Sequence, residues 1–434
     1  MVKLIEKENK MLNEKYYTFK HKTGLHVYVF PKKLTTSYAL FATRYGAVDN
    51  KFKIDGDADF TCVPDGIAHF LEHKMFECEG GVDAFELYAK TGASANAYTS
   101  NTMTAYLFSC TEKFYESLNV LLDFVTHPYF TEQTVQKEQG IIGQEIRMYD
   151  DHPGARLEKG LLAAMYEKNK MRIDIAGTTE SIAEITADTL YKCYYTFYNL
   201  NNMVLCVCGD VDPYMVAEVC DKVLADAPKE TIIRDYEDDD EKPEVFKKRS
   251  VCELSVSKPI FAIGVKDLNI SSDPKMRMKK AYGMNILNEI LYSQSGKMFN
   301  ELYEKNLIAH DLSSSAEHTK YCSFIQISSE SSDPEAVYDY FVEYIEEMKK
   351  KGLDVKEFEL AKRTVYASNI KSFDSTEEIA NNLIYNIFDG GDILDAPEII
   401  SSIDMDYVTE LLNSMYKEEY YAMSVVNPLK KGKE

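Results

Sequence analysis

Apolar positions along this chain switch repeatedly between strand-like and helix-like spacing, and the switches divide it into elements. "YALFATRYGAV", residues 38–48, reads as a strand. A helix is expected over 68–76 and a second near 82–90, followed by the strands "ASANAY" and "TMTAYLFSC". "KFYESLNVLLDFVTHPYF" and then "TEQTVQKEQGIIGQEIRMYDD" are helical by spacing. "NNMVLCVCGDVD" reads as a buried strand closing in a Gly-Asp turn, with Cys206 and Cys208 on one side of it. The same order then returns: "PIFAIGVKDL" as strand, "KKAYGMNILNEILYS" as helix, a helix near 296–305 and the strand "YCSFIQISSE". Two helical stretches follow, "AVYDYFVEYIEEMKKKG" and "DVKEFELAKRTVYASNIKSF". The repeated order predicts a duplicated α+β unit. Between the copies lies "APKETIIRDYEDDDEKPEVFKKRS", with two prolines, an acidic run and a basic run, which reads as a linker. The expected division is residues 1–228, a linker at 229–250, and a second domain at 251–434.

Composition narrows the function classes. The chain has 434 residues, 45% hydrophobic and 28% charged, which suits a soluble protein of two or more domains. Its 49 basic against 71 acidic residues leave a formal charge of −22. That excludes the basic face a nucleic-acid binder needs and favours cationic partners. Nine scattered cysteines without a C-x-x-C motif suggest reduced thiols. With no apolar signal core near the start and no apolar run long enough to span a bilayer, the expectation is a cytoplasmic protein with no membrane attachment.

The candidate chemistry lies in "GIAHFLEHKMFE", residues 66–77. Residues four apart on a helix share a face, so His69 and His73 present two imidazoles side by side. That spacing suits two ligands of one tetrahedral zinc. Glu72, one residue before His73, can reach a water at such a metal without being a ligand. The pattern is H-x-x-E-H. Ile67, Phe70, Leu71 and Met75 make the helix largely buried, and Asp65 stands where a cap would. The competing reading is a packed histidine-bearing core helix. Buried histidines beside a buried glutamate need a partner, however, and a metal supplies one. A third protein ligand is required. In "KEQGIIGQEIRMYDD", Glu138 and Glu145 lie seven apart, close to two helical turns, so they share a face. One could bind the metal and the other could orient a ligand histidine. Spacing leaves open which does which.

On these residues the chain resembles the pitrilysin/insulinase family of zinc metallopeptidases, the inverzincins, and most of all its short-chain members related to mitochondrial processing peptidase. "GASANAYTSNTMTAYLF" is similar to the family's substrate-binding edge strand. "IAGTTESI" and "YNLNNMVLCVCGDVD" fit the end of its catalytic half. The resemblance implies two homologous α+β domains, each a mainly antiparallel sheet backed by helices, together forming half of a peptidase clamshell. It implies one Zn2+ per chain, held by His69, His73 and Glu145, with Glu72 as general base and Glu138 as the supporting carboxylate. Asn96 and Ala97 would lie on the strand that pairs with substrate backbone. The implied activity is hydrolysis of extended, unfolded peptides, with basic peptides favoured by the charge.

One departure stands out. The family carries an arginine and a tyrosine, seven apart, in its non-catalytic half. In "FNELYEKNLIAH" their places are taken by Tyr303 and His310. The second half also has "YGMNILNEIL" in place of the zinc motif. The resemblance therefore implies a dimer, either of two copies or with a paralogue that carries the Arg/Tyr pair. A zinc-binding but non-catalytic subunit or peptide-binding scaffold is the rival reading. A maturation protease for a modified peptide is another, with the same chemistry and a different substrate.

Overall fold

The computed structural model describes residues 2–225, 229, 231–237 and 240–430, so the expected domain boundary at 228 lies outside the described residues. These fall into two compact units: residues 1–146, 173–236 and 371–394, and residues 147–172, 237–370 and 395–434.

The first unit is built on a seven-stranded sheet. Its spatial order is Ile5–Asn9, Glu14–Lys20, His26–Pro31, Met203–Gly209, Ser37–Thr43, Thr104–Cys110 and Ser94–Thr99. Every pair is antiparallel except His26–Pro31 with Met203–Gly209. One face packs Phe41, Phe108 and Leu205 against helices Ile67–Met75, Phe114–Thr126, Glu132–Asp150 and Ala187–Phe197. The other packs Leu40, Cys206 and Cys208 under Leu383 and Ile384 of helix Thr376–Asp389. A strand covered on both faces needs no polar alternation. Met203–Gly209 is accordingly buried throughout, which explains the unbroken "MVLCVC". Cys206 and Cys208 do share a side, and all nine cysteines are free thiols.

The second unit carries a five-stranded sheet in the order Arg249–Leu254, Tyr421–Pro428, Ile260–Asp267, Ser323–Glu330, Ser313–His318. Only its first pair is parallel. That is the order and polarity of the last five strands of the first sheet, so the duplication extends from element order to topology. Both sheets have helices on their faces, and the fold is α+β as expected.

The units are discontinuous in sequence, whereas the linker had suggested contiguous domains. Helix Pro153–Met165, from the first half, belongs to the second unit and buries Leu157, Leu161 and Met165 there. Helix Thr376–Asp389, from the second half, belongs to the first unit. Each sheet has a second apolar face to cover, and in each the cover comes from the other half of the chain. No helix among the described residues is long and apolar enough to cross a membrane.

The described part of the expected linker is partly ordered by specific contacts. Ile232–Arg234 adds as a strand to Lys51–Ile54. Arg234 Nε donates to the buried Asp49 at 2.8 Å. In the second unit, Glu241 accepts from the backbone N–H groups of Glu167, Lys168 and Asn169 at 3.2, 2.6 and 2.9 Å. It also accepts from Lys266 Nζ at 2.6 Å. Lys266 is wholly buried and finds its remaining acceptors in the Lys242 and Glu244 carbonyls. Removing the carboxylate leaves a buried ammonium without a counter-charge, which costs about 3–5 kcal/mol. Glu241→Ala is therefore expected to lower the denaturation midpoint far more than Asp240→Ala, whose carboxylate is exposed. Equal midpoints in urea for the two variants would show that this pairing does not anchor the segment.

Candidate metal centre

Helix Ile67–Met75 starts at Gly66, which has φ +88° and no side-chain cap. Asp65 is not the cap that was expected. Its Oδ1 instead accepts from Asn50 Nδ2 at 2.7 Å, and its carbonyl accepts from Ser181 Oγ at 2.8 Å. The reason is a close approach of two glycines. A Cβ on Gly66 would lie 2.4 Å from the Ala176 carbonyl, and one on Gly177, also at positive φ, would lie 2.5 Å from the Asp65 carbonyl. Only glycine takes such a turn without strain, so "DGI" and "AGT" lock together and fix where the helix begins.

The helix then buries Ile67, Phe70, Leu71 and Met75 and turns His69 and His73 to one side, ring centroids 4.6 Å apart. Helix Glu132–Asp150 buries Val135, Ile142 and Ile146, and that packing brings Glu138 and Glu145 to the two rings. Glu138 Oε1 lies 3.0 Å from His73 Nδ1. Glu145 lies 3.8 Å from His69 Nε2 and 3.5 Å from His73 Nε2. Donor atoms of His69, His73 and Glu145 all lie within 4.8 Å of one another, the one such trio among the described residues. Geometry thus separates two carboxylates that spacing left equivalent: Glu138 holds the far nitrogen of His73, and Glu145 faces both near nitrogens.

The electrostatics agree with a cation site. Burial, with help from His73, pushes His69 down to about 4, so its ring is neutral and a lone pair is free for a metal. The buried Nδ1 of His69 has no hydrogen-bond partner among the described residues. Burial also pushes His73 down, but the Glu138 hydrogen bond and the nearby carboxylates outweigh it and the net direction is up. Three carboxylates, Glu72, Glu138 and Glu145, thus act on the His73 ring, an acidic setting that suits a cation. These donors are the oxygen and nitrogen set that zinc takes.

Glu72 is 9% exposed and burial pushes its carboxyl up. Its Oε2 accepts from Thr99 Oγ1 at 2.6 Å. Thr99 is absent from the expectations, although its strand was in view. Ala95, Ala97 and Thr99 alternate along Ser94–Thr99; the two alanines pack on the helix side of the sheet, while Tyr98 packs on the other. Period-two spacing from Ala97 would have found it. Ser94–Thr99 is an edge strand, paired among the described residues on one side only, by Thr104–Cys110. Asn96 and Ala97 lie on it, and the Asn96 side chain accepts from the Ala97 N–H at 2.9 Å.

Tyr303 and His310 belong to the second unit. Tyr303 is 54% exposed on helix Lys297–Glu304, stacked against Phe299 with centroids 6.0 Å apart. His310 is exposed in the turn before Ser313–His318.

Comparison with known proteins places this geometry. Residues 63–179 match the family described as Insulinase (Peptidase family M16), and residues 184–365 match the Peptidase M16 inactive domain. The chain is 40% identical over 421 residues to the Bacillus subtilis protein named uncharacterized zinc protease YmfH, covering 95% of this chain and 96% of that one. The crystal structure of a putative M16-like peptidase from Alicyclobacillus acidocaldarius superposes with a TM-score of 0.91 at 30% identity, covering 98% of this chain and all of the other. Pitrilysin superposes over the whole of this chain and 47% of its own, with a TM-score of 0.74 at 16% identity, a likeness of fold. With its H-x-x-E-H helix and its duplicated sheet in place, the chain belongs to the insulinase family, peptidase family M16.

Proposed function

We propose that this chain is a zinc-dependent endopeptidase that cleaves extended, unfolded peptides and works as one half of a dimer. The observation that carries the reading is the convergence of His69, His73 and Glu145, with Glu138 fixing one ring from behind. His69, His73 and Glu145 would hold one Zn2+. When bound, zinc lowers the pKa of a water and polarises a carbonyl. Glu72 accepts the water's proton at Oε1, the oxygen not engaged by Thr99, and later delivers it to the leaving nitrogen. Asn96 and Ala97 present backbone to a peptide lying along 94–98 as an added strand, which selects extended substrates. The charge of −22 draws basic peptides. Nine free thiols suit a reducing compartment such as the cytoplasm.

Metal analysis tests the ligand set. Purified chain is expected to bind about one zinc, and His69→Ala and Glu145→Gln to lose it. Glu138→Gln should weaken affinity by roughly tenfold to a hundredfold, as loss of an orienting carboxylate does. Full zinc retention in both ligand variants would end the assignment.

Glu72→Gln separates binding from chemistry. It keeps the side chain's shape without a proton acceptor, so zinc content should stay and turnover fall by about a hundredfold or more. Undiminished turnover removes Glu72 from the mechanism.

The partner follows from Tyr303 and His310. A tyrosine or a histidine can donate one hydrogen bond to an oxyanion, but neither replaces a guanidinium fork. A second copy of this chain brings only these two. A paralogue with the Arg/Tyr pair brings the missing donors. Peptide cleavage by the chain alone is therefore expected to be weak, and to rise by about a hundredfold or more on mixing with such a paralogue. Robust turnover by the chain alone, unchanged by Tyr303→Ala with His310→Ala, rules this requirement out. The presence of Tyr303 and His310 in place of the Arg/Tyr pair favours a second reading, a zinc-binding but non-catalytic subunit, if no partner restores cleavage.

A further inference from the structure

We infer that Thr99 is a positioning residue that ties the general base to the substrate-binding strand; this rests on the proposed role of Glu72. Thr99 is the last residue of the edge strand Ser94–Thr99. Its hydroxyl has one proton and two oxygen neighbours: Glu72 Oε2 at 2.6 Å and Thr104 Oγ1 at 3.3 Å. Thr104 donates its own proton to the Tyr45 carbonyl at 2.9 Å, so it offers Thr99 only lone pairs. The shorter contact and the carboxylate's charge both direct the Thr99 proton to Glu72. Glu72 and Thr104 are buried and Thr99 is half-buried, so the hydrogen bond lies at the edge of the core.

Two things that must be aligned during hydrolysis therefore share one stretch of backbone. A peptide paired along 94–98 is fixed in register by that strand. The base is fixed to residue 99 of the same strand and turned so that Oε1 is left free. The distance from base to scissile carbonyl is then set within a few residues and not across the whole unit. Misplacement by about 1 Å at a reacting centre can cost a hundredfold in rate. Losing the Thr99 hydroxyl should leave peptide pairing intact and spoil the base, so the effect belongs in kcat and not in KM.

The test uses Thr99→Val, which keeps the shape and β-branch without the hydroxyl, and Thr99→Ser, which keeps the hydroxyl. Thr99→Ala serves if the valine variant does not fold. With the partner present, Thr99→Val is expected to lower kcat by roughly tenfold to a hundredfold, the worth of a hydrogen bond to a charged group. KM should change by less than about twofold, since uniform binding is not lost. Thr99→Ser should retain most of the rate, and zinc content should not move. Crystal structures of the three proteins form the second arm: the Glu72 carboxylate should leave its position in the valine variant and return in the serine variant. Wild-type kcat in Thr99→Val, a change confined to KM, or serine as defective as valine each overturns the proposal. If no partner yields cleavage, the peptidase reading fails. The crystallographic arm still decides on Thr99, because an undisplaced Glu72 in Thr99→Val refutes it.

Discussion

Two imidazoles one helical turn apart on a half-buried surface cannot be left to solvent, and the first unit is arranged around that fact. Their near nitrogens face one carboxylate, and the far nitrogen of His73 faces another, both from helix Glu132–Asp150. That convergence requires two helices to meet at a defined angle and height. The height is set at one end by the Gly66–Gly177 approach, which admits no side chain. It is set along the length by Ile67, Phe70 and Leu71 on one helix and Val135, Ile142 and Ile146 on the other, all in one core. The site's charge is therefore a product of apolar packing: four acidic or basic groups are brought within reach because the residues between them must leave water.

The second unit shows what the same topology looks like without that constraint. Its sheet repeats the order and polarity of the first, and helix Pro274–Tyr292 follows its strand as Ile67–Met75 follows Ser37–Thr43. The helix corresponding to Glu132–Asp150 is Val355–Lys371, which buries only Phe358 and Ala361. No carboxylate pair is asked of it. Among the described residues the cluster of possible metal donors occurs in one copy of the duplicated fold, so function has to be argued from that site and not from the architecture.

Much of this was legible in the sequence. Helices and strands with strong periodicity fall where spacing put them, from Ser37–Thr43 to Val355–Lys371, because each has one face to bury. Spacing of i, i+4 and i, i+7 put His69 with His73 and Glu138 with Glu145, but which glutamate would be the ligand was implied only by the family resemblance, because two residues on one helix face are equivalent until the facing helix is in place. What escaped involves contacts distant in sequence. Asp65 had the chemistry of a cap, but its side chain is claimed by Asn50 and its turn by Gly177. Nothing in the sequence pairs Thr99 with Glu72, which lies 27 residues away on a separate helix. The exchange of helices Pro153–Met165 and Thr376–Asp389 between units leaves no mark on either helix, since an amphipathic face does not state which sheet it will cover.

We propose that the charged centre of the first unit is a metal site with a separate base. Anomalous diffraction at the zinc edge, on crystals of the zinc-loaded chain, tests it most directly. One peak is expected, within roughly 2.0–2.2 Å of His69 Nε2, His73 Nε2 and a Glu145 oxygen, with Glu72 outside the coordination sphere and Glu138 still on His73 Nδ1. A peak elsewhere, or one with Glu72 as a ligand in place of Glu145, would contradict it.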